Sequence, residues 1–280
     1  MDSVICIVDV LPELLGTYGD YGNVIVLAKR LQLRGFKVRI IQATADKSIP
    51  QTGDVYVLGG GEDSPQSEAA RILRNSKSLN IAYDNGSFIF GVCAGFQILG
   101  KSFVADDKVE EGISLADFYS VRGSRRSVGE LVINSDIFGP NYLLSGFENH
   151  GGVTFLGQDV EPLGRVLIGK GNGSNEIGND SYKADNSTDP MQLSLNKYSE
   201  SIDDKFSSKM TKNKPIQFRD GILSKRLLCT YMHGPVLARN YKLADFILNQ
   251  IVPIEDEVDA LERLNAYSER LRNERLKSTL

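Results

Sequence analysis

The chain is poor in the residues that do most protein chemistry: it has three cysteines and two histidines in 280 residues. Cys6, Cys93 and Cys229 are an odd, scattered set. They form neither a disulfide framework nor a C-x-x-C metal pair. No apolar run reaches the roughly 18 residues that a bilayer span needs, so no membrane crossing is expected. No h-region with a cleavage site follows Met1, which runs almost directly into a strand, and the expected location is the cytoplasm. A strong charge excess is also lacking. The formal net charge of −4 gives no general attraction to nucleic acid. No internal repeat is present. A hydrophobic content of 41% suits one large domain, with or without additions.

What is present is an alternation. Val4 to Val10 reads as an apolar strand and Val24 to Arg34 as a helix, ended by Gly35. Lys37 to Gln42 and Asp54 to Leu58 read as strands, Ser64 to Leu73 as a helix start, and Phe88 to Val92 as a fourth strand. Strands alternating with helices predict an α/β fold, with a mostly parallel sheet flanked by helices. The second half is richer in strands and turns, with strands expected over 129–133, 164–168 and 227–232. Residues 171–215 are dense in Asn, Ser, Asp and Lys. They are too polar to fold alone and read as a surface insertion. From residue 253 the chain is highly charged. Ile254, Val258, Leu261, Leu264 and Leu271 recur at helical steps and predict an amphipathic C-terminal helix over 253–280. Its stripe serves either its own domain or a partner.

Ligands in such folds sit at the carboxyl ends of the strands, where Cys93 falls. It follows a buried strand and precedes Ala94-Gly95-Phe96-Gln97-Ile98-Leu99, a helix start. A cysteine there is lifted from the sheet into a nucleophile elbow, where the free N–H groups favour thiolate. The bland alternative is a buried structural cysteine. A thiolate needs a base. His233 ends the apolar run 227–232 at the same carboxyl level, and is preferred to His150. His150 stands in the turn Glu148-Asn149-His150-Gly151-Gly152, where it lines a pocket or holds the turn. An oxyanion needs donors: the N–H of Ala94 is one, and the Gly59-Gly60-Gly61 loop is either a second or only a flexible turn.

Two further patterns carry less. Gly95 to Ser102 fits the P-loop spacing, but Phe96, Ile98 and Leu99 read as core residues of a helix already under way, so phosphate binding there is rejected. Arg122, Arg125 and Arg126 are either solvated surface or a guanidinium for a carboxylate ligand.

At this point the residues resemble a known family. Gly91-Val92-Cys93-Ala94-Gly95-Phe96-Gln97-Ile98-Leu99-Gly100 is similar to the nucleophile motif of class I glutamine amidotransferases. Tyr231-Met232-His233-Gly234-Pro235 resembles the histidine motif of their cobyric-acid-synthase-like branch. Tyr18-Gly19-Asp20-Tyr21-Gly22-Asn23 and Phe147-Glu148-Asn149-His150-Gly151-Gly152 resemble one subgroup, the glutaminase subunits of lipid II isoglutaminyl synthase. The resemblance implies a flavodoxin-like amidotransferase domain over 1–252, with Cys93 and His233 catalytic. It also implies a substrate site for L-glutamine made by Arg126, Gln97, Gly60, Ala94, Asn149 and His150. No cofactor or metal is implied in this chain. ATP and magnesium belong to a Mur-ligase-like, MurT-type synthetase partner, which amidates the α-carboxylate of D-glutamate in lipid II. Amidation of another acid such as a cobyrinate, or cysteine hydrolase activity, are the competing readings. One departure stands out. Where class I enzymes carry a Glu two residues after the histidine, this chain has Pro235. The expectation is a Cys–His dyad or, preferably, an acid supplied by the partner.

Overall fold

The computed structural model describes residues 4–139, 142–173, 218–254 and 258–279. Most of residues 171–215 therefore lies outside the described residues. Six strands form the first sheet: β1 (Val4–Val10), β2 (Lys37–Ala43), β3 (Val55–Leu58), β4 (Phe88–Val92), β11 (Ile222–Ser224) and β12 (Leu227–Thr230). The order is β11-β12-β4-β3-β1-β2, parallel except for the edge strand β11. The central strands β3, β4 and β12 are buried along their whole length, as a sheet covered on both faces requires. The helices are α1 (Tyr21–Leu33), α2 (Asp63–Ser76), α3 (Ser78–Asp84), α4 (Ala94–Leu99), α5 (Val236–Arg239), α6 (Tyr241–Asn249) and α7 (Asp259–Thr279).

The second sheet is more than the sequence pattern announced. It orders β10 (Arg219–Asp220), β9 (Gly164–Ile168), β7 (Phe118–Asn134), β5 (Ser102–Ala105) and β6 (Lys108–Glu111), with β8 (Leu143–Leu156) also paired to β7. The β7–β8 pair is a long antiparallel hairpin whose register shifts between Arg122 and Ser127. That irregularity leaves Gly123 to Arg126 outside the ladder. The two sheets touch through Phe147 of β8 and His233, whose backbones exchange N–H···O bonds of 2.7 and 3.4 Å.

At the far side of the second sheet, Asn172 closes a clasp. Its side chain accepts from the Gly221 N–H at 2.7 Å and donates to the Gly221 carbonyl at 3.0 Å. Its own N–H donates to the Arg219 carbonyl at 2.8 Å.

The C-terminal helix forms as α7, but only part of its expected stripe is covered. Leu261 is buried, whereas Leu264 and Leu271 are 41% and 39% exposed. The reason is a polar anchor. Arg30 of α1 is buried, grips Asp245 of α6 with two bonds, and donates to Asn265 Oδ1 of α7 at 2.8 Å. A buried guanidinium without partners is costly, so the face bearing Leu261, Asn265 and Ser268 turns inward instead of the leucine stripe.

Candidate active site

Cys93 joins β4 to α4 with φ 51° and ψ −104°. A non-glycine residue here is strained by about 1–3 kcal/mol, the sign of an elbow held by its surroundings. Small neighbours make the bend fit: Gly95 N–H donates to the Gly59 carbonyl at 3.0 Å, bringing α4 against the end of β3. The P-loop spacing is spent otherwise, since α4 begins at Ala94 and Lys101 pairs with Asp117 at 2.6 Å.

His233 follows β12 and is fully buried. Its Nδ1 stands 2.9 Å from Asp20 Oδ2. Its Nε2 is buried and, with Nδ1 taken by Asp20, is the nitrogen left for Cys93, whose side chain interacts with the ring. Burial alone would push the imidazole pKa down. The Cys93 thiolate and the Asp20 carboxylate outweigh burial, and hold it up at about 10.

Asp20 corrects the expectation of a missing acid. It sits at the start of α1, where the helix dipole favours an anion. Its side chain makes no cap; Oδ2 instead accepts from His233 and from the Gly60 N–H at 2.8 Å. Pro235, at the usual position of the acid, has a different job. A Cβ on Gly22 would stand 2.4 Å from the Pro235 ring, so the two pack too closely for any side chain there. Asn23 accepts from the Leu237 N–H at 3.1 Å beside them. The segment after the histidine thus clamps the start of α1, and the clamp delivers Asp20 to the ring.

A cleft of about 290 Å³ opens beside these residues. It is lined by Cys93, Ala94, Gln97, Arg126, Asn149 and His150 among others, so six of the eight expected site residues share it. His233 and Gly60 are the two that do not line it. Gly60 is a second correction: its N–H is held by Asp20, so it is not an oxyanion donor in this arrangement. A Cβ on Gly60 would lie 2.4 Å from His233 Cε1, which makes this glycine the floor beneath the histidine. Gly61, its neighbour, lines the cleft.

The remaining side chains divide by what already engages them. Gln97 accepts from Gln66 at 2.8 Å and donates to the Tyr231 hydroxyl at 3.0 Å. His150 is buried and stacks on Tyr231 with centroids 3.8 Å apart. Its Nδ1 is 2.9 Å from the Gly152 carbonyl and its Nε2 is 3.3 Å from Glu148. Both nitrogens are occupied, so His150 lines the cleft as wall and holds its turn, the two roles open to it from the sequence. Arg122 is committed to Asp63 and Asp107. Arg126, released from the ladder by the β7 irregularity, is exposed, and only its Nε is held tightly, by Asn149 Oδ1 at 2.6 Å. Its Nη2 reaches the Asn149 carbonyl only at 3.4 Å, and the residue lines the cleft, where a guanidinium offers the fork that a carboxylate needs.

Sequence reasoning missed Asp20 and Tyr18. The Tyr18 ring lies 4.7 Å from that of His233. A signal existed: Asp20 follows β1 at the carboxyl end of the sheet, the level of Cys93 and His233.

Known proteins carry the same pattern. A sequence model of the CobB/CobQ-like glutamine amidotransferase domain matches residues 6–188. The chain is 32% identical over 243 residues to the lipid II isoglutaminyl synthase (glutamine-hydrolyzing) subunit GatD of Staphylococcus aureus (strain N315), over 86% of this chain and 81% of that one. It is 30% identical to the subunit of that name from Streptococcus pneumoniae (strain ATCC BAA-255 / R6), over 83% of this chain and 74% of that one. A crystal structure of a glutamine amidotransferase superposes with a TM-score of 0.50 at 15% identity, covering 89% of this chain and 98% of the other, and shares the fold.

Proposed function

Since this chain belongs to the CobB/CobQ-like glutamine amidotransferase family, we propose that it is the glutaminase subunit of a lipid II isoglutaminyl synthase. The observation that carries the chemistry is the meeting of three chain-distant parts: the strained Cys93 elbow and Arg126 line one cleft, and the Asp20–His233 pair lies against Cys93 behind it. Arg126 takes the α-carboxylate of L-glutamine and aims the side-chain amide at Cys93. The thiolate attacks the amide carbon, and the Ala94 N–H supports the oxyanion. His233 gives its proton to the leaving nitrogen, ammonia departs, and a glutamyl thioester remains. Water, deprotonated by the same imidazole, then cleaves the thioester to glutamate and regenerates Cys93. Asp20 keeps the proton on Nδ1, so that Nε2 faces the chemistry.

The ammonia passes to a Mur-ligase-like partner. That subunit holds ATP and magnesium and amidates the α-carboxylate of D-glutamate in lipid II. Support for this half comes from the two relatives, each named as a subunit of such a synthase.

The test is glutamine hydrolysis by wild type and Cys93→Ser. The variant should lose at least ~100-fold in kcat, because removal of a nucleophile costs orders of magnitude. Mass spectrometry should trap a glutamyl adduct on Cys93 alone. A Cys93→Ser enzyme with a tenth of wild-type turnover would sink the assignment, and no amidated lipid II on adding the partner would sink the pathway.

A further inference from the structure

Tyr18 is built into the site in a way the reaction above does not use. It is a non-glycine residue at φ 62°, in the left-handed region that tyrosine avoids. It is 37% exposed, so burial of its ring does not account for that conformation. Its two sets of contacts fall on a residue of the cleft wall, Asn149, and on His233 behind the cleft. The ring leans on His233 at 4.7 Å with an interplanar angle of 53°. The hydroxyl accepts from Asn149 Nδ2 at 2.9 Å and donates to Glu62 Oε1 at 3.4 Å. Asn149 in turn holds Arg126 Nε at 2.6 Å. One unbroken series of contacts therefore runs from Arg126 through Asn149 and Tyr18 to the His233 ring. The neighbouring N–H of Thr17 is fixed to the Gly60 carbonyl at 3.1 Å, so the turn cannot slide along it.

We infer that Tyr18 is a positioning residue that couples capture of the substrate's α-carboxylate at Arg126 to the placement of His233. The hydroxyl orients Asn149, whose oxygen pins the Nε edge of Arg126 and leaves the terminal nitrogens for the carboxylate. The ring leans tilted against the imidazole, and an aromatic ring within about 6 Å favours the protonated imidazole over the neutral one. A free amino acid that engages Arg126 thus stiffens the contact on the histidine; an amide without that carboxylate does not. The residue selects free glutamine without touching the reacting atoms.

The inference rests on the glutaminase reading, and the test separates the two. Kinetics are compared for wild type, Tyr18→Phe, Asn149→Ala, the double variant and Tyr18→Ala. Tyr18→Phe keeps the ring and loses the hydroxyl. It should raise KM for glutamine about 5-fold with kcat within about 2-fold, the size of one lost neutral hydrogen bond. The double variant should be no worse than Asn149→Ala alone, since the hydroxyl acts through Asn149. Tyr18→Ala should also lower kcat and shift the pH profile, both restored by Phe. Independently of activity, the His233 ring proton signal should move in Asn149→Ala, and that response should vanish when Tyr18 is Ala. Additive KM effects, or an NMR response that persists without Tyr18, would overturn the coupling. Failure of wild type to hydrolyse glutamine would instead sink the function, and the NMR response would still decide the coupling.

Discussion

Asp20 reaches His233 from 213 positions away in the chain, and its value lies in charge as much as in geometry. Asp20→Asn keeps the shape and removes the charge. The imidazole pKa should fall from its raised level of about 10, read by NMR titration of the ring. Turnover should drop by at least ~10-fold, the low end of what an oriented acid–base group contributes. An unchanged titration would mean that Cys93 alone holds the ring's proton. The contrast with Cys93 shows what is legible at this scale. The elbow announces itself in ten consecutive residues, from a buried strand through small residues to a helix start. The acid could not, because its partner is set by how Gly22 and Pro235 pack, and packing across the sheet leaves no local pattern.

Among the elements, β1, β3, β4 and β12 of the first sheet were readable because buried parallel strands give continuous apolar runs, whereas the three-residue edge strand β11 was not. The β7–β8 hairpin was not, because Arg122 to Arg126 interrupt its alternation where the register shifts. The rotation of α7 was hidden as well, since Arg30 sets it from another helix. Short β10 carries a testable burden. Asp220 is fully buried, accepting from the Thr230 hydroxyl at 2.6 Å and the Tyr231 N–H at 3.2 Å. Burial, and to a lesser degree the charge of Glu148, raises its pKa from 3.8 to about 7. The folded state therefore binds this proton more tightly than the unfolded chain does. The stabilising contribution is whole below pH 3.8 and is lost as pH rises through about 7. Urea denaturation across that window should show stability from this group falling with pH, and Asp220→Asn should flatten the slope. A slope unaltered by the substitution would assign it to other groups.

For the whole molecule, the acid within the chain changes what assembly is for. Asp20 occupies His233 Nδ1, the place that Pro235 led one to assign to an acid of the partner. The purified chain should hydrolyse glutamine unaided, with kcat within ~10-fold of the complex, the least that a supplied general acid–base group would add. A chain silent until its partner binds would show that assembly gates the site by other means. That expectation rests on Asp20 and His233 being joined by the packing of α1 against the segment that carries α5, both inside one chain.

The Asn172 clasp has a topological consequence. It brings the chain back, at Arg219 and Gly221, to the place it left at Asn172. The neck is closed by residues on its two sides alone. Such a neck is where circular permutants and split proteins succeed. A backbone cut within residues 174–217 should leave two fragments that purify together, since β12 of the later one stays hydrogen-bonded beside β4 of the earlier. The nicked protein should keep its glutaminase turnover, and Asn172→Ala should lower its melting temperature without parting the fragments, which the β12–β4 pairing still joins. Fragments that part would show that the covalent bridge, and neither the sheet pairing nor the clasp, holds the halves of the site together.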